Sequence, residues 1–268
     1  MTKNAFKILG HSFVIIFLTI LTQIGGLIYL LTIAITRNIN YKKRSKSLLV
    51  FTTIYLLSTF VIVPRIAPIF GRQNIEDSAL IKGHSFFYKL TNRTYVTPQL
   101  HNVLVQAARE LNQKYNNIQL VYLDANFPFI DKFPLLPHLS HNDGKKIDLS
   151  FVYKENNQIS NKKPSLSGYG VFESPSEHEY KQYEICKTKG YWQYDFPKHL
   201  TFGTLNPQLN FSEEASKHLI SVILKQHEIG KIFIEPHLKA RLNLSHSKLR
   251  FHGCQAVRHD DHIHIQLR

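Results

Sequence analysis

The chain has 268 residues, with 33 Lys and Arg against 19 Asp and Glu, for a formal charge of +14. All 19 acidic residues follow position 70 while the first 70 residues carry eight cations, so the remainder is only mildly basic, near +6. Most of the excess charge thus sits in a hydrophobic N-terminal region, where Lys and Arg report membrane topology and give no case for a nucleic-acid partner.

From the N-terminus, residues 12–35 and 47–63 run without a charge for about the length a hydrocarbon core demands, and each is expected to be a transmembrane helix. The first run is far longer than the roughly 7–15 apolar residues of a signal peptide, and no small-x-small cleavage site follows it. Between the runs, residues 37–46 hold five cations. The positive-inside bias puts this loop in the cytoplasm, with both chain ends and the whole of 70–268 facing outward. Residues 1–69 therefore read as a membrane anchor, 70–89 as a juxtamembrane linker with Gly71, and 90–268 as the folded domain.

Within the domain, Leu100, Val103, Leu104, Ala107, Ala108 and Leu111 recur at helical spacing, and Ile118–Leu123 follows as a short β-branched strand. Ile147–Tyr153 alternates with period two. Residues 155–210 are rich in Asn, Lys, Ser, Gly and Pro and are expected to be mostly loop. Ser212 reads as the N-cap of a helix running to about Gln226, and Ile232–Ile234 and His262–Leu267 complete the strands. The expectation is an α+β domain with an antiparallel sheet and flanking helices. Cys186 and Cys254, the only cysteines, permit one disulfide and exclude a structural Cys-rich zinc site.

Two stretches carry chemistry. In 137–149, His138 and His141 stand three apart and Asp148 follows at the start of a strand. In 258–267, a strand projects His262, His264 and Gln266 from one face and Ile263, Ile265 and Leu267 from the other. The same alternation sends Asp148 to the face opposite Ile147 and Leu149. If the two strands are neighbours, carboxylate and imidazoles meet on one surface. Imidazole nitrogen and carboxylate oxygen suit zinc, and three protein ligands plus a water are the pattern of a catalytic site.

The pair of motifs, His-x-x-His-x6-Asp followed by a near-C-terminal His-x-x-His-x-His, resembles the penicillin-insensitive murein endopeptidases within the lysostaphin and D-alanyl-D-alanine metallopeptidase group. The match covers about 137–153 and 258–267, with a weaker one from Gly230 to Leu242; the segment 129–136 departs from the family's Gly-rich approach. The resemblance implies one Zn2+ per chain held by His141, Asp148 and His264, with His259, His262 and His138 lining the site as catalytic candidates. It further implies hydrolysis of D-alanyl-diaminopimelyl cross-links, with peptidoglycan as partner and a catalytic domain facing the periplasm from the inner membrane. A carboxypeptidase trimming stem peptides and a non-catalytic wall-binding protein are the alternatives. No Glu stands near either motif in sequence, so an imidazole is expected to move the proton, His262 first because it shares the strand face with His264, and His259 second. His84, His101, His178, His199, His218, His227, His237, His246 and His252 are expected to be solvated.

Overall fold

The computed structural model describes residues 3–37 and 44–268, so most of the cationic loop lies outside the described residues. The chain opens with α1 (Lys3–Thr22) and α2 (Gly25–Thr36) where one span over 12–35 is expected. The break is local: Gln23 takes a left-handed backbone conformation at φ 67°. Past it, α2 folds back onto α1. Gly26 makes this possible, since a Cβ there would lie 2.6 Å from the Ile15 carbonyl oxygen. Further along the pair, His11 Nδ1 lies 2.9 Å from the Tyr29 hydroxyl. The start of α1 and the end of α2 therefore lie at the same end of this helix pair.

Helix α3 (Arg44–Leu57) continues as one rod through a π-helical turn (Ser58–Ile62), α4 (Val63–Ile66) and a 3-10 turn (Ala67–Phe70). The rod is longer than the expected 47–63. Two helices, Asn4–Thr22 and Ser45–Phe70, are long and apolar enough to cross a membrane.

The domain begins earlier than Leu90. Residues in the expected linker form β1 (Gln73–Asn74), β2 (Ile81–Gly83) and α5 (Phe86–Leu90), because Ile75 and Ile81 carry this segment into the core. Then follow β3 (Tyr95–Val96), which pairs with β1, α6 (Pro98–Lys114), β4 (Leu120–Asp124) and β5 (Lys146–Ser150). The region 155–210 is less irregular than expected. It holds the hairpin β6 (Tyr153–Glu155) and β7 (Gln158–Ser160), α7 (Gln182–Thr188) and a 3-10 turn (Trp192–His199). After it come β8 (Asn210–Phe211), α8 (Glu213–Lys225), β9 (Ile229–Phe233), α9 (Pro236–Arg241), β10 (Leu249–Arg250) and β11 (His262–Leu267). Ser212 takes the N-cap position of α8, although its side chain makes no capping bond.

The main sheet has the order β10-β9-β11-β5-β4-β2. Its centre is antiparallel, as expected, but the edge pairs β10/β9 and β2/β4 are parallel, so the sheet is mixed. One face is covered by α6 and α8, whose Leu100, Leu104, Ala107, Leu111, Leu219 and Ile223 pack with Ile147, Leu149, Ile263 and Ile265. Burying apolar side chains stabilises this layer by about 25 cal/mol per Å² removed from water. The opposite face is left to the polar residues of the same strands. A disulfide between Cys186 of α7 and Cys254 ties this helix to the segment leading into β11, with Cα atoms 5.1 Å apart.

Candidate metal centre

Register builds one wall of the centre. On β11, His264 pairs directly with Asp148 of β5, and His262 pairs with Ser150. Because side chains alternate along a strand, Asp148, His262 and His264 share the face away from the helices. A second carboxylate joins them through an irregularity. Tyr122 pairs with Leu149 but Asp124 pairs with Asp148, so the register of β4 shifts between them and turns Asp124 to the polar face.

The other wall is loop. His141 follows β4 on the segment 125–143, and its ring Nδ1–H donates to the Ala125 carbonyl at 3.0 Å, which frees Nε2 to face the strands. There His141 Nε2 lies 3.3 Å from both Asp148 Oδ1 and His264 Nδ1, and His264 Nδ1 is 2.8 Å from the same carboxylate oxygen. Tyr169 donates its hydroxyl to the second carboxylate oxygen, Asp148 Oδ2, at 2.8 Å. It is placed there by Gly168, whose φ of 85° and close approach to Leu123 leave no room for a Cβ. His138 Nδ1 bonds Asp124 Oδ2 at 2.7 Å and lies 3.3 Å from Asp148 Oδ2.

Electrostatics separate the roles. Asp148 is fully buried, which pushes its pKa up, but the charges of His141 and His262 outweigh this and hold it well below the usual carboxylate range. Asp124 is likewise raised by burial, yet the Arg93 guanidinium and the His138 bond bring it down to about 2. Arg93 grips both oxygens of Asp124 and donates to the Leu136 carbonyl, so this carboxylate already has a cation. His262 is pushed down by burial and more strongly up by Asp261 and Asp148, to about 9. A cation on Asp148 would offset that carboxylate's share of the upward push. His259 is held well below the ordinary histidine value by burial and by His262, His264 and His252, so it is a neutral imidazole.

The donor atoms fit a metal ion. His141, Asp148 and His264 each offer one atom, and these three lie within 4.8 Å of one another. A second group, Asp124, His138 and His141, meets the same distance test, but Arg93 neutralises its carboxylate. Buried polar atoms normally have partners, whereas His264 Nε2 and His259 Nδ1 have none. All of this opens to a cavity of about 470 Å³ lined by His138, His141, Asp148, Tyr169, His259, His262 and His264, together with Gln193, Phe196 and His252.

Every candidate named from the two motifs therefore reaches one site. His141, Asp148 and His264 converge directly, and His262 lies 3.7 Å from Asp148 Oδ1 and is bonded through Nδ1 to Asp261. His259 sits 4.8 Å from the His262 ring, centroid to centroid. His252, expected to be solvated, is exposed on one side but stacks on Phe233 at 4.0 Å and faces His259. His237 is buried, donating to the Glu173 carbonyl at 2.8 Å, and has a structural role. Glu235, remote from both motifs in sequence, comes close in space and accepts the His259 backbone N–H at 3.0 Å and the Tyr194 hydroxyl. Arg93, Asp124 and Tyr169 carry no motif, and only Asp261, adjacent to His262, was visible beside one. In comparisons with known proteins, the sequence matches no family model and no curated protein.

Proposed function

We propose that the chain is a zinc-dependent murein endopeptidase that hydrolyses D-alanyl-diaminopimelyl cross-links of peptidoglycan. The observation that carries this reading is the convergence of His141 Nε2, Asp148 Oδ1 and His264 Nδ1 beside a free imidazole edge of His262. Two nitrogens and one carboxylate oxygen with an open side are the donor set of a catalytic zinc. When bound there, zinc acidifies water and polarises a carbonyl. The residues of the chain do the rest. Asp261 fixes the His262 tautomer through Nδ1, leaving Nε2 to take a proton at the site and return it to the leaving amine. Tyr169, whose hydroxyl is kept protonated by burial and by Asp148, holds the ligand carboxylate in place.

An endopeptidase fits better than a carboxypeptidase. A free terminal carboxylate calls for a cation, and no Lys or Arg is among the described residues lining the cavity. The anchor accords with a wall substrate. The cationic segment 37–46 favours a cytoplasmic loop, which would place both the chain start and that loop inside and the domain in the periplasm. The Cys186–Cys254 disulfide suits an oxidising compartment. The test is incubation of the purified full chain with cross-linked muropeptides. Cleavage that stops with chelator and returns with zinc is expected; cleavage indifferent to chelator would refute the reading.

A further inference from the structure

A second cavity of about 600 Å³ adjoins the first, and Pro137, His138, Tyr169, Phe196 and Leu200 line both. Its character differs. Leu21, Phe87, Leu136, Leu166 and Phe202 make it apolar, and the two charged residues in its wall, Arg93 and Asp124, are paired with each other. The residues at its edge are exposed to a degree unusual for their type: Phe202 is 74% exposed, Leu136 55% and Phe87 49%. Contiguous exposed apolar surface marks a binding or membrane contact.

What covers this surface follows from the anchor. Leu21 belongs to α1, so a helix able to cross a membrane forms part of the cavity wall. Asn92 donates to the Thr22 carbonyl, and the Tyr55 hydroxyl bonds the Leu90 carbonyl, which seats the segment beside the cavity against both rods. Tyr55 stands less than halfway along the apolar rod Ser45–Phe70. That rod is about 39 Å long at 1.5 Å per residue, against about 30 Å of hydrocarbon. Its outward side stays apolar to the end, with Ile69 80% and Phe70 50% exposed beside the domain. With that rod crossing the bilayer, the cavity edge would lie at its level, where a hydrocarbon chain could enter from lipid without crossing water.

We propose that this cavity binds the hydrocarbon chain of a lipid-linked peptide, whose polar end reaches the metal centre past His138 and Tyr169. The inference rests on the peptidase reading for the fate of the peptide, and it narrows the substrate to wall peptide still carried on a membrane lipid. The experiment uses the full chain in phospholipid nanodiscs and one peptide in two forms, free or attached to a long-chain lipid bearing a diazirine near its tail. With metal removed to prevent turnover, photolysis is expected to label the segments 85–93, 136–138 and 166–202. Leu166→Glu should reduce that labelling at least fivefold, and Leu166→Phe should retain it. With zinc, the lipid-linked form should be cleaved at least tenfold faster than the free peptide, and Leu166→Glu should bring the ratio towards one. Labelling confined to the anchor helices, or displaced equally well by plain phospholipid, would overturn the proposal, as would a ratio that Leu166→Glu leaves unchanged. Labelling of the cavity without cleavage of either form would instead uphold the chain site and refute the peptidase reading.

Discussion

The two walls of the metal centre differ in how they hold their side chains. On the strand wall, Asp148, His262 and His264 are set by ladder register, one residue directly opposite another. The positions on the loop wall depend on single contacts: His141 on the Ala125 carbonyl, Tyr169 on a left-handed glycine, His138 on Asp124. Strands bring donor atoms together by periodicity, whereas loops orient the donors and supply their partners through individual hydrogen bonds. Substitutions of a donor itself, His141 included, should therefore act on chemistry or metal outright, and those of the supporting contacts on the loop wall, Tyr169 and His138, by degree.

The largest effect short of metal loss is expected at His262. His262→Ala should retain zinc yet lower cross-link cleavage by about 10²–10⁴-fold, the usual cost of a positioned acid–base group. His259→Ala should be milder, because burial and then the neighbouring imidazoles hold that ring well below the ordinary histidine value, and its backbone, not its side chain, bonds Glu235. Steady-state rates with zinc content measured in parallel would check both, and the reverse ranking would move the proton to His259.

On the loop wall, Tyr169→Phe deletes the bond to Asp148 Oδ2 and leaves the ring in place. Loss of such a supporting bond typically weakens metal affinity by about 10–100-fold. Competition against a chelator of known strength should show a shift within that range. An unchanged affinity would mean that the strand wall holds the carboxylate unaided.

The smallest effect concerns Lys163, which does not line the cavity of the metal centre. It is buried with one carbonyl partner, Phe151 O at 3.1 Å, and burial lowers its pKa to about 7. The folded state then binds fewer protons than the unfolded chain between that value and about 10.4, so stability should rise with pH across this window. Lys163→Met should remove the slope and raise stability at pH 7. Thermal unfolding in detergent at several pH values would decide it.

The same contrast explains what could be read from the sequence. Period-two alternation placed Ile263 and Ile265 in the core and the two histidines opposite, and the helical spacing from Leu100 to Leu111 marked α6. Asp124 escaped that logic because its parity matches Tyr122, a core residue, until the register shift turns it over. Tyr169 reaches the site from the long loop between β7 and α7 and Arg93 from the short link between α5 and β3, where no periodicity links position to direction. The anchor misled for a related reason. Composition shows that 12–35 is apolar, but the reversal at Gln23 depends on one backbone conformation and a close approach at Gly26.

Metal content tests the central claim most directly. The purified full chain, loaded with zinc, desalted and measured by plasma mass spectrometry, should hold one zinc per chain, and His141→Ala, Asp148→Ala and His264→Ala should each hold essentially none while remaining folded. Full zinc retention in any of these three proteins, or none in the unaltered chain, would contradict the assignment of this centre.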